Sequence, residues 1–580
     1  MPALNLRYLF SISRSEMKKI RSSHTKVSPR EEATRFSILK HAILKHGSVG
    51  LLNQVLLGKR RSDASDERLI QDFHEFEQPV HPVPRDKHYL RALRVTEKLM
   101  KPAKTLHPIS FPDLRYYPWT KNVSAEAPYN FEKKYEELLR DKQRLGEIET
   151  ATATFHNLED EIFEDNRYLI HKIKEGDSQF WDKDGKPRPY YHTTLHARAH
   201  VVGHEDADKI RAVFGVPKLL LMAENMFIWP LQAYYLNQDT TKHHLLWGNE
   251  IMKGGWKKLW GQLQNGRISR TILSLDWSEF DKRALHEVID DVHSMWKSWF
   301  DFTHYEPTIF YEKGEIPEPH RRIENLWIWM TDMVKHYPIL QPDGKVYQWT
   351  RNGIASGFQQ TQLLDSFVNM IMLLTVLSAN GINIEHPDFW IKVQGDDSLI
   401  SIVERRFQMF GISYLDTLAD LASYYFNAKL SVKKSFISDT PQGQYVLGYF
   451  NHYGIPYRLD DDLLSHLVFP ERPQRLEETA ASCVGIAMAS MGCSKVVYSI
   501  CDDAYTFITK TLRRPAKAGS LFWLERAFGY EMPNIAKMPT FEECLYASYD
   551  IPVRTENMKQ RLWPTNAKAK NGFYFLRHLC

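Results

Sequence analysis

The segment "KVQGDDSLISI" places two adjacent carboxylates, Asp396 and Asp397, behind a glycine and between two apolar arms. The arms favour β-strand, so the acids lie at the tip of a predicted hairpin. A third carboxylate, Asp276, follows a second apolar strand in "ISRTILSLD" and could lie beside that tip in one antiparallel sheet. Three converging carboxylates repel one another unless a cation neutralises them, and hard oxygen ligands suit Mg²⁺, with Mn²⁺ as a substitute. We therefore predict a carboxylate-held metal site of the kind used for in-line phosphoryl transfer.

The elements that must position these acids are predicted from periodicity. A strand from Ile268 ends on Asp276, and a helix follows in which apolar residues recur at helical spacing from Leu285 to Trp299. The glycine-containing turn "ASGFQQT" opens a long helix whose most apolar part, "FVNMIMLLTVL", is too short to span a membrane. We therefore expect a core helix and no membrane contact. An amphipathic stretch over 409–426 and a strand at "QYVLGYF" follow the hairpin.

The rest of the chain is less informative. We expect an irregular connection over 60–90, a loop over 116–129, exposed helices over 130–175 and a helical region over the last 120 residues. Residues 1–30 carry seven Lys and Arg against one acid. Such a stretch has three interpretations, which are a mitochondrial transit peptide, a basic arm on nucleic acid and a solvated tail.

Composition limits the class of protein. The chain has 580 residues, enough for about three or four subdomains, and its net charge of +4 is too small to indicate nucleic-acid binding without local clustering. The cysteines form no CxxC pair, which argues against a zinc site and against a disulfide framework. We expect reduced, mostly buried thiols at all five positions: Cys483, Cys493, Cys501, Cys544 and Cys580.

A Gly-Asp-Asp tripeptide alone is a modest signal, because Asp-Asp is also ordinary turn chemistry. Its weight rises with two further motifs, "DWSEFD" at Asp276 and "SGFQQT" at Ser356. The three motifs are separated by 80 residues (276 to 356) and by 40 residues (356 to 396). This ordered set resembles motifs A, B and C in the palm of viral RNA-dependent RNA polymerases. The resemblance covers residues 198–458.

The resemblance implies catalytic roles. It makes Asp276, Asp396 and Asp397 the catalytic metal ligands. "NAKLSVKKSFIS" resembles motif D and makes Lys434 a candidate general acid for the leaving pyrophosphate. "YVLGYFNHYGIP" resembles motif E, which supports the priming end.

Basic residues before the palm are candidates for nucleotide binding. "DADKIRAVFG" resembles the fingers segment that grips the incoming triphosphate, which points to Lys209 and Arg211, with Arg198 as a further candidate. The alternative for Lys209 and Arg211 is a solvated charged turn.

Selection of the sugar depends on the ribose 2′-hydroxyl, the group that distinguishes RNA from DNA. The resemblance assigns this contact and the rest of substrate binding to five residues: Asp281, Ser356, Gly357, Thr361 and Asn369. The family pattern places Asn four residues after the Thr, whereas this chain has Asp365 there and Asn369 one helical turn later. The sequence leaves open whether Asp365 or Asn369 contacts Asp281. It also leaves open whether both residues have a purely structural role.

Chain length and motif style look most like the polymerases of partitiviruses, which are double-stranded RNA viruses, and picobirnavirus enzymes are similar. The resemblance implies an enzyme that replicates and transcribes the viral genome inside a capsid, in the virion interior or host cytoplasm, without a primer. Its implied partners are an RNA template and product duplex, NTPs and a viral capsid protein. The alternatives are a reverse transcriptase-like polymerase and a catalytically inert, capsid-associated RNA-binding protein.

The implied fold is an α+β right hand of the closed-hand type, with fingers, a palm containing an antiparallel sheet, and a thumb. We expect an N-terminal extension with fingertips over 1–115 and fingers over 116–270, with a fingers insertion over 301–345. The palm is expected over 271–300 for motif A and over 346–458 for motifs B to E. The thumb then covers 459–580.

Overall fold

The computed structural model describes residues 4–13, 16–17, 27–306, 316, 319–517 and 535–549. Within them the chain is a mixture of helices and largely antiparallel sheets. In chain order, the helices are α1 (Pro29–His46), α2 (Val49–Leu56), α3 (Asp66–His74), α4 (Lys87–Met100), α5 (Lys133–Arg144), α6 (Glu159–Glu175), α7 (Lys218–Leu236), α8 (Gly255–Gln264), α9 (Phe280–Arg283), α10 (His286–Lys297), α11 (His320–His336), α12 (Thr361–Ala379), α13 (Arg406–Phe410), α14 (Tyr414–Phe426), α15 (Asp460–Val468), α16 (Leu476–Ala489), α17 (Lys495–Thr506) and α18 (Phe541–Tyr546).

Short 3₁₀ turns occupy Phe111–Tyr116, Ile251–Lys253, Gly411–Ser413 and Val432–Lys434, and a π-helical turn occupies Phe507–Thr511. The strands are β1 (Leu6–Ser11), β2 (Lys59–Arg61), β3 (Thr193–Ala199), β4 (Val201–Gly203), β5 (Ile210–Gly215), β6 (Thr271–Ser274), β7 (Trp277–Ser278), β8 (Ile339–Leu340), β9 (Lys345–Trp349), β10 (Trp390–Gln394), β11 (Asp397–Ile402), β12 (Lys429–Leu430), β13 (Phe436–Ser438), β14 (Tyr445–Val446), β15 (Tyr449–His452) and β16 (Ile455–Tyr457).

A four-stranded antiparallel sheet in the order β10-β11-β6-β13 contains the predicted hairpin and the strand before Asp276. Its central strands are almost wholly buried, which fits their continuous apolar runs. The predicted strand and hairpin are confirmed, although β6 ends two residues before Asp276. The helices expected after "DWSEFD" and after "ASGFQQT" are confirmed as α10 and α12.

A five-stranded sheet in the order β1-β9-β8-β3-β5 joins distant parts of the chain. β1 pairs with β9, so the N-terminal segment is an edge strand of this sheet and not a solvated tail over Leu6–Ser11. The remaining interpretations of the basic N-terminus concern residues that lie largely outside the described part. β9 belongs to the same sheet as β3 and β5, so Lys345–Trp349 pack with strands formed by residues 193–215.

Two of the four hydrophobic cores among the described residues contain most of the helices. The larger core runs from β1 to β13 and surrounds α7, α10, α11 and α12. A second core packs α1 and α2 against α15, α16 and α17, so the N-terminal helices join the C-terminal ones. α1 is well specified locally, because the Ser28 hydroxyl accepts from the Glu31 amide at 3.2 Å and Pro29 opens the helix.

Some local expectations were wrong. Residues 60–90 are not an irregular connection throughout, because α3 forms there and buries Leu69 and Phe73. The helices expected over 130–175 exist, but α6 is not an exposed helix, since it buries Ile162, Phe163 and Ile170 among other residues. The apolar residues of α3 and α6 are too sparse to form a clear pattern in the sequence, and these helices are buried through tertiary packing.

The helix α12 passes a length and composition test for a membrane span, but 83% of its most apolar window is buried inside the fold. The expectation of a core helix is therefore confirmed. Four cysteines are free thiols, of which Cys483, Cys501 and Cys544 are buried and Cys493 is exposed, and Cys580 lies outside the described residues.

Candidate active site

The sheet register brings the predicted acids to one end of the four-stranded sheet. Ile400 of β11 lies opposite Leu273 of β6. Continuing that register by three residues sets Asp397 opposite Asp276, just beyond the end of β6. The strands stay linked there by a side chain, because the Ser398 hydroxyl lies 3.3 Å from the Leu275 amide and 3.2 Å from its carbonyl. The order of the strands thus makes neighbours of acids 121 residues apart in the sequence.

The hairpin tip needs its glycine, because Gly395 has a φ of +59°, in the left-handed region. Helix α12 holds this tip from the side. The Gly395 amide donates to the Ser366 hydroxyl at 2.8 Å, and the Asn369 side-chain amide donates to the carbonyls of Gly395 at 2.9 Å and Asp397 at 3.3 Å. The Trp277 indole donates to the Asn369 side-chain oxygen at 2.8 Å, so one buried residue connects two motifs and the hairpin.

The carboxylates are close enough to change one another's ionisation. Burial raises the pKa of Asp276, and Asp396 adds to the rise by repulsion, while Lys434 and Lys209 oppose it. Burial together with repulsion from Asp396 and Asp276 raises the pKa of Asp397 to about 7, and the Leu447 backbone amide opposes this rise by hydrogen bonding to the carboxylate. Burial and mutual repulsion therefore make the charged forms of Asp276 and Asp397 less favourable than they are in water.

The donor set fits a hard divalent cation through its chemistry. Clustered carboxylate oxygens are the ligands that Mg²⁺ and Mn²⁺ prefer, and their mutual repulsion is the charge that a cation would offset. Among the described residues, no three His, Cys, Asp or Glu side chains converge on one point as a finished metal cage. A partly hydrated ion held by one or two carboxylates, which is usual for Mg²⁺, suits this arrangement.

A group of cations faces the acids. Lys209 and Arg211 lie on or next to β5, and both act electrostatically on Asp276. Arg198 lies opposite Arg211 on β3, and its guanidinium is 3.1 Å from Glu471, beyond α15. Burial lowers the pKa of Lys209, and repulsion from Lys434 and Arg211 adds to the effect. The structure thus places Lys209 and Arg211 near the acids, and Arg198 beside Arg211 but paired with Glu471.

Lys434 ends a 3₁₀ turn beside the acids. Its Nζ atom is 4.0 Å from Asp276 Oδ2, and its side chain is 62% exposed. It therefore combines closeness to the acids with the freedom to move toward a bound phosphate.

The "SGFQQT" turn packs directly on β5. A Cβ atom at Gly357 would lie 2.1 Å from the Phe214 carbonyl oxygen of β5, so only glycine fits there. The Ser356 hydroxyl donates to the Ala212 carbonyl at 3.2 Å, and Thr361 donates to the Ala355 carbonyl. This turn therefore ties the predicted triphosphate-binding strand to the first residue of α12.

Sequence reasoning missed a buried carboxyl that supports this turn. Glu224 of α7 accepts from the Gln359 amide at 2.6 Å and from the Gln360 side chain at 2.9 Å. Burial raises its pKa to about 8, and the hydrogen bonds from Gln359 and Gln360 oppose the rise. No local pattern identified Glu224, because its partners lie 135 and 136 residues away.

Asp281 and Asp365 lie near the acids but are not paired with each other by a hydrogen bond. Burial raises the pKa of Asp281, while Lys282 and Arg211 oppose the rise. Burial also raises the pKa of Asp365 well above its ordinary value, with repulsion from Asp396 and Asp281 adding to it, and its Oδ1 atom is buried without a hydrogen-bond partner. Asn369, by contrast, uses its side chain on Trp277 and the hairpin.

Comparison with known proteins finds a family and two relatives. Residues 118–442 match the family described as viral RNA-dependent RNA polymerase. The RNA-directed RNA polymerase of White clover cryptic virus 1 is 30% identical over 552 residues, which cover 88% of this chain and 89% of the relative. The RNA-directed RNA polymerase of Atkinsonella hypoxylon virus is 25% identical over 489 residues, covering 77% of this chain and 71% of the relative.

Replacing Asn369 by Ala should destabilise the fold by about 1–3 kcal/mol, because the Trp277 indole and two hairpin carbonyls lose a buried partner. Chemical denaturation of the two proteins measures the difference. Thr375→Val is the matched control, since the Thr375 hydroxyl is buried on the same helix but bonds only to the Ile371 carbonyl. Equal losses in both variants would contradict a special role for Asn369 at the hairpin.

Asp397 should make the metal-free protein less stable as the pH rises. A group whose pKa is raised by folding contributes stability that is full below its unfolded pKa of about 4 and is lost as the pH passes the folded value of about 7. In EDTA, the free energy of unfolding of Asp397→Asn relative to that of the wild type should therefore rise by roughly 1–4 kcal/mol between pH 4 and pH 8. Asp420→Asn, at an exposed position of α14, is the control and should show no such gain. Parallel stability curves for wild type and Asp397→Asn would refute the assignment.

Proposed function

This chain belongs to the viral RNA-dependent RNA polymerase family and has its right-hand fold, and we propose that Asp276, Asp396 and Asp397 form its nucleotidyl-transfer site. The protein is an RNA-directed RNA polymerase of partitivirus type. The single observation that carries the proposal is the β6–β11 register, which sets Asp397 opposite Asp276, with Asp396 as the next residue at the hairpin tip. The family relationship sets aside the reverse transcriptase and the inert RNA-binding protein.

In the proposed reaction, the 3′-hydroxyl of the growing strand attacks the α-phosphate of an NTP, and pyrophosphate leaves. Divalent ions, Mg²⁺ or in its place Mn²⁺, would lower the pKa of the attacking hydroxyl and neutralise charge on the phosphates. The side chains of Asp276, Asp396 and Asp397 would hold these ions. The role of the surrounding structure is to keep the acids in place, with Ser366, Asn369 and the Leu447 amide acting on the hairpin.

Cations supply the binding of the triphosphate in this proposal. Lys209 and Arg211, with Arg198 on the neighbouring strand, offer positive charge opposite the acids. Lys434 would donate a proton to the leaving pyrophosphate, and its 4.0 Å separation from Asp276 supports that role. All four residues keep part of their surface accessible to solvent, including Lys209, whose ammonium is partly desolvated.

Ribose recognition is proposed for Asp281 and Asp365, supported by Ser356, Gly357 and Thr361 on the turn that opens α12. Asp365 is favoured over Asn369 for direct contact, because Asp365 has a buried oxygen without a partner while Asn369 is engaged by Trp277 and the hairpin. A carboxyl that holds its proton can donate a hydrogen bond as an amide does. Asp365 would thus replace the Asn of the family pattern.

The wider function follows from the family. We propose that the enzyme replicates and transcribes a double-stranded RNA genome without a primer, on an RNA template and product duplex, in association with a viral capsid protein in the virion or host cytoplasm. The fingers would comprise 116–270 and 301–345, the palm 271–300 and 346–458, and the thumb 459–580, with fingertips and an extension in 1–115. The shared core of α1, α2 and the C-terminal helices supports a closed hand.

Asp396→Asn should reduce primer-independent incorporation of labelled NTPs on single-stranded RNA by at least about a hundredfold, because a metal ligand loses its charge. Incorporation with Mg²⁺ measures the effect beside wild type. Asp420→Asn, exposed and away from the hairpin, is the matched control and should retain activity. Full activity of Asp396→Asn would place the chemistry elsewhere.

Asp365→Leu should reduce the preference for NTPs over dNTPs by about tenfold, since a contact to the 2′-hydroxyl distinguishes the two by about 1–2 kcal/mol. Asp365→Asn should preserve most of the preference, because the amide retains a donor. Asn369→Ala should lower the turnover number without changing the preference. The preference is measured in each variant as the kcat/KM for CTP divided by the kcat/KM for dCTP. A change of preference in Asn369→Ala and none in Asp365→Leu would reverse the assignment.

A further inference from the structure

A second site candidate lies in segments that contribute no residue to the acid site. A pocket of about 130 Å³ is bounded by the start of α5, the middle of α6 and the residues just before β3. We call it the tyrosine pocket, and it is lined by Pro128, Glu132, Lys134, Tyr135, Asp165, Tyr168, Leu169, Tyr190 and Tyr191. Its volume is small beside the roughly 300–1,000 Å³ of pockets for drug-sized ligands, so it fits one head group.

The two carboxylates of the tyrosine pocket are held in place by its phenols. The Tyr191 hydroxyl donates to Glu132 at 2.6 Å, and the Tyr135 hydroxyl donates to Asp165. Burial raises the pKa of Tyr135, and the hydrogen bond to Asp165 raises it further, so this phenol keeps its proton and remains a donor. Two ordered negative charges therefore stand among aromatic rings.

The ring geometry favours a compact cation over a flat base. The lining rings of Tyr190 and Tyr191 have centroids 4.4 Å apart and stand at 79° to each other, so these two rings do not form one flat surface. Rings at such angles enclose a rounded group, whereas a nucleobase needs a parallel face for stacking. The carboxylates also disfavour a phosphate.

One cation of the chain, the ammonium of Lys134, already lies against the aromatic and acidic groups of the tyrosine pocket. Lys134 Nζ lies 4.4 Å from the centroid of the Tyr135 ring and 3.5 Å from Glu132 Oε2. The Lys134 side chain is 63% exposed, so this ion pair is weak and can be displaced. Tyr168, also exposed at 62%, offers a further ring at the opening.

We propose that the tyrosine pocket binds a compact organic cation, the ammonium or guanidinium head group of a lysine or arginine side chain or of a free diamine. Its recognition combines cation–π contact with the Tyr135, Tyr168 and Tyr190 rings and charge pairing with Glu132 and Asp165. This binding is independent of the polymerase reaction, because none of the lining residues is among those proposed for nucleotidyl transfer.

The test is a ligand-observed NMR titration of the full chain with Nα-acetyl-lysine methylamide and with its neutral norleucine analogue. The lysine probe should bind about tenfold more tightly, given the strength of a cation–π contact with added charge pairing. A Glu132→Gln and Asp165→Asn double variant should weaken lysine binding by about fivefold or more, and Tyr168→Leu by about threefold. Glu136→Gln, at an exposed position of α5, is the matched control and should leave the affinity for the lysine probe unchanged.

Putrescine distinguishes the two sources of the cation. Tighter binding of putrescine than of the lysine probe identifies a free diamine as the ligand, and the reverse order identifies a protein side chain. Equal affinity for lysine and norleucine, unchanged binding in both the double variant and Tyr168→Leu, or tighter binding of guanosine than of either cation would overturn the proposal. Tyr168→Leu keeps the test informative if the double variant fails to fold, since the Tyr168 ring is exposed.

Discussion

Repulsion among three acids is the constraint on which much of the structure depends. Asp276 and Asp397 face each other at the end of a buried sheet, with Asp396 beside Asp397, and burial together with repulsion raises the pKa of both Asp276 and Asp397. The acids stay close to one another because the backbone segments that carry them are held together. The buried central strands and the side-chain link through Ser398 supply that rigidity.

Helix α12 is the element that relates this cluster to its surroundings. Its first turn carries Thr361 beside the fingers strand, and its second faces the acids with Asp365. Ser366 and Asn369 then hold the hairpin tip. One helix thereby fixes the distance between the proposed ribose contact and the proposed metal ligands. Its burial on nearly every side explains why so apolar a helix belongs to the core and not to a membrane.

The second hydrophobic core joins the N-terminal helices to the C-terminal ones. Helices α1 and α2 leave the N-terminal region and pack against α15 to α17, and the Arg35 guanidinium donates to the carbonyls of Leu467 and Val468. The ion pair of Arg198 with Glu471 adds a polar link between β3, beside the strand of the proposed triphosphate site, and the segment after α15. The apolar core contributes most of the stability, because exposed ion pairs contribute little.

The sequence by itself determined the chemistry and the local elements. Three short motifs in order identified the acids, the polymerase family and the strands and helices that carry them, because hydrophobic periodicity and turn glycines are local signals. The tertiary structure alone decided which distant groups contact one another. Glu224 under the "SGFQQT" turn, Asn369 between Trp277 and the hairpin, and the pairing of β1 with β9 depend on contacts between residues far apart in the sequence. Such contacts produce no periodic pattern in the sequence, because they join segments that are distant along the chain and meet only in the folded protein.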